Sequence, residues 1–334
     1  MVMLYSIIIP VYNTQSYVKS CLESVFNNDT RDFEIIVVND GSTDDSLRKC
    51  QQIQLKYPNY IKIIDQPNLG VSVARNKGIE AATGDYLIFL DSDDKLAPGS
   101  LDNANLEKNE DWHIFNYESN DYLADAIKND SVIEVNNANI IAISEKILYP
   151  YRNVAGVNNA NYSTPWPKIF KREIIESNKL RYVKNCHMGE DMIFNLQYLQ
   201  YCKSIRLHCD KWYYQTLDRP DSAANHEKSE QEQLMNELTY NKALKKVWLE
   251  YQLNDQGQYL YYDKLITNFV NDYLNYGHSL LDFKDIRQGL SNVSKNSGMH
   301  EKSLLASLIL EHKRLSKMVL GFIRLFKKLR DSSS

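Results

Sequence analysis

Two carboxylates stand one residue apart in Asp91-Ser92-Asp93, directly beyond the apolar run 86–90. Hard divalent cations such as Mg²⁺ and Mn²⁺ take oxygen ligands and commonly bridge substrate phosphates, so this spacing suits a cation shared with a diphosphate. A polar turn whose Asp caps the next helix would look the same. A second acidic pair, Glu190-Asp191, follows Gly189 and precedes Ile193, Leu196 and Leu199 at helical spacing. A carboxylate within hydrogen-bond reach of a hydroxyl can take its proton. First-turn acids that complement a helix dipole are the plainer reading of the same pair.

These residues need a scaffold, and the first ninety residues supply one. Apolar runs at 4–10, 33–39, 60–65 and 86–90 read as strands buried on both faces, as in a parallel sheet. Between them, Val18, Leu22, Val25 and Phe26 mark one helical face; Val73, Ala74, Gly78, Ala81 and Ala82 mark another, with Gly84 placed to end it. This βαβ rhythm predicts an α/β fold, whose ligands bind beyond the carboxyl ends of the strands. Those ends carry Pro10-Val11-Tyr12-Asn13, the run from Asn39 and Asp40 to Asp44, and Asp91-Ser92-Asp93-Asp94. A further strand is expected at 112–117 and a helix near 138–148. The pattern turns helical from about residue 229, which puts a boundary near 225. The expected organisation is a catalytic domain 1–225, with a nucleotide-binding half 1–100 and an acceptor half 101–225, followed by a helical region 226–334.

Taken in order, Ser6–Asn13, Val38–Asp44, Asn68–Gly78 and Gly84–Asp94 resemble the family 2 glycosyltransferases, inverting enzymes of the GT-A fold. The resemblance is close over about residues 4–100, looser at 166–194, and fades after about 224. It implies a Rossmann-like, mostly parallel sheet flanked by helices. It also implies a UDP-sugar donor site drawn from Pro10, Val11, Tyr12, Asn13, Asp40, Arg75, Asp91 and Ser92. Val11 and Tyr12 would border the base, Tyr12 stacking on uracil, and Asp40 would accept the base N3–H, since a carboxylate only accepts. Arg75 would lie near the base or diphosphate. Asp91 would bond the ribose, directly or through water, and Asp93 with Asp91 would hold Mn²⁺ or Mg²⁺. Asp191 would be the general base, with Glu190 positioning the site. Trp166 and Lys168 match the family's Trp-x-Lys run; the indole would carry an acceptor sugar or be buried. A late histidine can reach the diphosphate or metal in this fold, but a packed or surface role is the better reading for each of His187, His208 and His226.

The family's processive synthases usually carry Gln-x-x-Arg-Trp and membrane helices. Neither occurs here, so single-sugar addition is expected. An NAD-type oxidoreductase would need a glycine-rich turn after the first strand, and 10–13 holds no glycine. No glycine- and arginine-rich phosphate loop marks a sugar-phosphate nucleotidyltransferase. A relative that binds nucleotide sugar without turnover, and one that acts on a protein-linked glycan, are the alternatives.

The chain of 334 residues has 39 basic and 43 acidic side chains, a formal charge of −4, which argues against a general nucleic-acid binder. The 23 tyrosines suit sugar stacking and an ordinary core equally. The charge is unevenly spread. From Lys313 to Arg330 there are seven basic residues and no acidic one, leaving 32 basic against 43 acidic elsewhere, a balance of −11. In that segment Leu315, Met318, Val319, Phe322, Ile323, Phe326 and Leu329 share one helical face, and most of the cations take the other. Such a helix suits an anionic membrane surface, a protein seam or a homodimer. Many of the resembled enzymes extend lipid-linked glycans, which makes a lipid-linked saccharide the expected acceptor. Five cysteines without a CxxC spacing read as free thiols in a reducing compartment. No secretory signal and no run of 18 apolar residues is evident. A cytoplasmic protein, peripheral on the inner face of the plasma membrane, is expected.

Overall fold

The computed structural model describes residues 4–102, 110–119, 123–216, 229–250, 255–276, 279–281, 285–288 and 290. The chain divides into two compact units, Met1–Asn225 and His226–Ser334.

In the first unit β1 (Tyr5–Val11), β2 (Phe33–Asp40), β3 (Ile61–Gln66) and β4 (Tyr86–Phe89) form a parallel set in the order β3-β2-β1-β4. All seven residues of β1 are buried, which explains why Ile7, Ile8 and Ile9 run together with no polar face. The connecting helices are α1 (Val18–Val25), α2 (Ser46–Lys56) and α3 (Val71–Ala81). Val18, Cys21, Leu22 and Val25 bury one stripe of α1.

Beyond β4 the sheet continues through short, mixed strands. After β5 (Lys95–Leu96), β6 (Trp112–Glu118) and β7 (Ser131–Glu134) come α4 (Ile140–Leu148), β8 (Lys168–Lys171), α5 (Arg172–Ser177), α6 (Glu190–Leu199) and β9 (Ser204–Tyr214). Among the described residues the order is β3-β2-β1-β4-β8-β6-β9-β5, with β7 also on β9. β8 joins antiparallel to both β4 and β6, while β6 and β9 are parallel with a bulge near Asn116. This inserted β8 joins the parallel set to the later strands in one continuous sheet.

Two details differ from the sequence expectation. The buried stripe of α3 comprises Ser72, Ala74, Arg75, Asn76, Gly78 and Ile79, not Val73, Ala81 and Ala82. Asn76 turns inward because its amide exchanges two hydrogen bonds with the Tyr182 backbone, at 2.8 and 2.9 Å. Gly84 does not cap α3, which ends at Ala81. A Cβ there would lie 2.7 Å from the Tyr5 carbonyl carbon, so Gly84 is demanded by close approach to β1.

In the second unit, α7 (Glu230–Glu250) buries Leu234, Tyr240, Leu244 and Val247, and α8 (Asp255–Tyr276) buries Leu265, Ile266, Phe269 and Val270. The proposed amphipathic helix 313–330 lies outside the described residues.

Candidate active site

The loops after β1, β2 and β4 lie at the carboxyl edge of the parallel set. Asn13, in left-handed backbone at φ 49°, accepts the Thr43 N–H on Oδ1 at 2.8 Å, and its own N–H donates to Ser42 Oγ at 3.2 Å. Thr14 N–H donates to Ser46 Oγ at 2.8 Å. These bonds fasten the first two loops together. Tyr12 is 40% exposed and offers a ring to a ligand. Val11 is fully buried in the core and Pro10 is buried with it, and β1 opens to solvent at Tyr12.

Asp40 ends β2. Its Oδ1 accepts from Gln66 Nε2 at 2.7 Å and Leu69 N at 2.9 Å, and its Oδ2 from Gly70 N at 2.8 Å. The carboxylate thus organises the turn into α3 as well as lying where a base is expected. Gly41 beside it sits at φ 70°, where a Cβ would come 2.6 Å from Asn68 N. At Gly70 a Cβ would meet the exposed His187 ring at 3.2 Å, which brings 187 to the mouth of this loop. His208 is elsewhere: it is buried, its Nε2 3.0 Å from His113 Nδ1 and its ring stacked on Phe115 at 4.1 Å. His226 lies outside the described residues.

Arg75 is the hub. Only 4% exposed, it places Nη1 2.8 Å from Asp191 Oδ1 and 3.4 Å from Glu190 Oε1, and Nη2 3.1 Å from Asp91 Oδ1. Its guanidinium carbon lies 5.2 Å from the Tyr182 ring centroid, and that ring stacks on Phe194 at 4.2 Å. The family resemblance implies an arginine near the base or diphosphate; the fold makes it the link between the two acidic motifs. A long basic side chain on a helix reads as surface, and only the half-buried carboxylates 16, 115 and 116 positions away reveal its place. Gly189 at φ 78° starts α6 and turns Glu190 and Asp191 into this cluster. Burial pushes the Asp191 carboxyl well up from its ordinary range; Arg75 opposes that, while Glu190 and Asp91 add to it.

The Asp91–Asp94 turn follows β4. Ser92 is buried, and Asp91 and Asp93 are half-buried. Asp94 is buried, and its carboxyl is pushed up to about 8 by burial and the neighbouring Asp91. All donors here are oxygens. Among the described residues no three His, Cys, Asp or Glu side chains are grouped to hold a metal. Two carboxylates on one turn fit a Mg²⁺- or Mn²⁺-type ion that completes its shell with phosphate oxygens.

Trp166 and Lys168 fall on the core side. Trp166 is 7% exposed, with Tyr213 stacked on its face at 4.8 Å and Tyr117 edge-on at 5.2 Å. Lys168 is fully buried and donates to the Thr164 carbonyl at 2.7 Å. Lys168 nonetheless acts electrostatically on Asp191, favouring its charged form.

The model of the family described as Glycosyl transferase family 2 matches residues 6–176. The chain belongs to glycosyl transferase family 2. Its fold is the GT-A fold. Over 226 residues it is 30% identical to the poly(ribitol-phosphate) beta-glucosyltransferase of Bacillus spizizenii, covering 64% of this chain and 32% of that one. The chain spans a third or less of the length of the first curated relatives it matches. The structure of S. aureus TarS 1–349 in complex with UDP-GlcNAc is similar at a TM-score of 0.62 and 20% identity, over 88% of this chain and 80% of that one. The mannosyltransferase PcManGT of Pyrobaculum calidifontis, in complex with GDP-Man and Mn²⁺, aligns at a TM-score of 0.51 and 15% identity, over 99% and 88% of the two chains.

Proposed function

We propose that this family 2 member is an inverting, non-processive glycosyltransferase. It moves one sugar from a UDP-sugar to a hydroxyl of a saccharide acceptor, and the acceptor is a lipid-linked glycan of cell-surface polysaccharide synthesis. The observation that carries this reading is the meeting of Asp91 and Asp191 on one guanidinium. It places the donor-side acidic turn and the candidate base within a single side chain's span. The UDP-GlcNAc bound to TarS supports a uridine nucleotide as donor.

In this reading Tyr12 stacks on uracil and Asp40 receives its N3–H at the Oδ2 edge, beside the Gly70 N–H. Asp91 and Asp93 would hold Mn²⁺ or Mg²⁺; PcManGT, which is similar in fold, is in complex with Mn²⁺. When bound, the cation supplies countercharge to the diphosphate. Asp191 takes the acceptor proton while the hydroxyl attacks the anomeric carbon opposite the departing diphosphate. An α-linked donor therefore yields a β-linkage. Glu190, sharing Arg75 with Asp191, keeps the base oriented. The protein acts at the cytoplasmic face, with 313–330 resting on anionic lipid.

The test is UDP release from a panel of UDP-sugars, with and without Mn²⁺ and a lipid-linked saccharide. Release that needs one donor, the metal and the acceptor supports the reading. No release with any pair would contradict it.

A further inference from the structure

The acidic turn is closed by its own Asp94 N–H to Asp91 carbonyl bond at 3.0 Å, and it is also held from outside. Asp91 N–H donates to the Tyr213 hydroxyl at 3.3 Å, and that hydroxyl donates to Asp94 Oδ2 at 2.6 Å. Asp94 Oδ1 accepts Thr216 N–H at 2.7 Å, and the Thr216 hydroxyl donates to the Asp93 carbonyl. Tyr213 near the end of β9 and Thr216 just beyond it thus grip three of the four residues of Asp91–Asp94. The grip crosses about 120 positions of sequence, so no local turn preference supplies it.

The tyrosine is itself packed in place. Tyr213 is buried, with its ring flat against Trp166 at an interplanar angle of 5°. Asp94 has both oxygens engaged and is buried, so it cannot turn to a cation without leaving Tyr213 and Thr216 unpaired. Four acidic or hydroxylated residues in a row therefore separate by role. Asp94 is an internal anchor, whereas the half-buried Asp91 and Asp93 lie on the more open side of the turn, Asp91 with Arg75 at 3.1 Å.

We propose that Tyr213, Asp94 and Thr216 are positioning residues that preset the spacing of the Asp91 and Asp93 carboxylates for a small divalent cation carrying a diphosphate. This rests on the donor reading above. Mg²⁺ and Mn²⁺ demand near-octahedral, short-bond geometry, whereas Ca²⁺ accepts longer and looser shells. A turn clamped at three residues rejects the larger ion; an unclamped one adapts to it.

The test is calorimetric binding of UDP to the full chain with Mn²⁺, with Ca²⁺ and with no metal. Tyr213→Phe keeps the ring on Trp166 and removes only the hydroxyl. Thr216→Val, at a half-buried position, removes only the bond to the Asp93 carbonyl. Each variant is expected to weaken Mn²⁺-dependent UDP binding about tenfold, to weaken the Ca²⁺-dependent value less, and to leave metal-free binding unchanged. The preference for Mn²⁺ over Ca²⁺ thus narrows severalfold. Wild-type affinities and preference in both variants would overturn the inference while leaving the donor reading standing. UDP binding by the wild-type chain that is indifferent to metal would overturn the metal assignment itself.

Discussion

Arg75 Nη1 lies 2.8 Å from Asp191 Oδ1 while its Nη2 lies 3.1 Å from Asp91 Oδ1, so one buried guanidinium joins the acidic motifs of both halves. Three carboxylates converge on this single guanidinium. The geometry needs a fork of donors in one plane, which lysine lacks.

Arg75→Met should therefore leave Asp91, Glu190 and Asp191 without their shared counter-ion. Removing one partner of a buried ion pair costs about 3 kcal/mol. Urea unfolding is expected to show a loss of that order, and Arg75→Lys should recover only part of it. Wild-type stability of Arg75→Met would contradict the hub role.

The His113–His208 pair carries a pH signature. Burial drives His113 down to about 3 and His208 down to about 4. Both rings protonate near 6.5 in the unfolded chain, so the unfolded state binds more protons as pH falls. Stability from these rings is complete above about 6.5 and is lost toward pH 4, at up to ~1.4 kcal/mol per pH unit per ring. His208→Phe keeps the stack on Phe115 and should halve that slope in urea titrations between pH 6.5 and 4.5. An unchanged slope would show that the pair is not neutral in the fold.

Gly41 tests the loop that Asp40 organises. A Cβ there meets Asn68 N at 2.6 Å and strains a backbone at φ 70°. Gly41→Ala should push the Asn68–Gly70 turn off Asp40 and weaken UDP binding about tenfold, a cost of ~1.4 kcal/mol. Calorimetry on the purified variant measures this directly, and unaltered affinity would detach the loop from the donor site.

Trp166 distinguishes core from platform. Its stack on Tyr213 predicts that Trp166→Ala loses about 3 kcal/mol of stability, as large aromatic truncations do. A variant as stable as the parent, with impaired turnover alone, would restore the acceptor role.

The parallel half of the fold was legible because β1, β2 and β4 are unbroken apolar runs that no other element explains. β5 and β8 have two and four residues, and β9 carries Arg206, Asp210 and Lys211 among its apolar positions; their pairing is set by distant neighbours rather than by local pattern. Within the site, Asp91, Asp93, Glu190 and Asp191 stood out because acidic pairs next to strand or helix starts are visible in one dimension. Arg75 was noticed but not its partners, and Tyr213 and Thr216 were invisible, since both serve Asp91–Asp94 only through long-range contacts. The burial of Val11 and Trp166 is equally hidden from local pattern, since both neighbour motif residues in sequence.

The central claim is that Asp191 is the base of a metal-assisted transfer from a UDP-sugar. The direct measurement compares wild type and Asp191→Asn for acceptor-dependent UDP release and for UDP binding with Mn²⁺. Asn keeps the shape but cannot take a proton at neutral pH. The expected result is release reduced by at least about 10²–10⁴-fold with Mn²⁺-dependent UDP binding retained. Release at the wild-type rate from Asp191→Asn would contradict the claim.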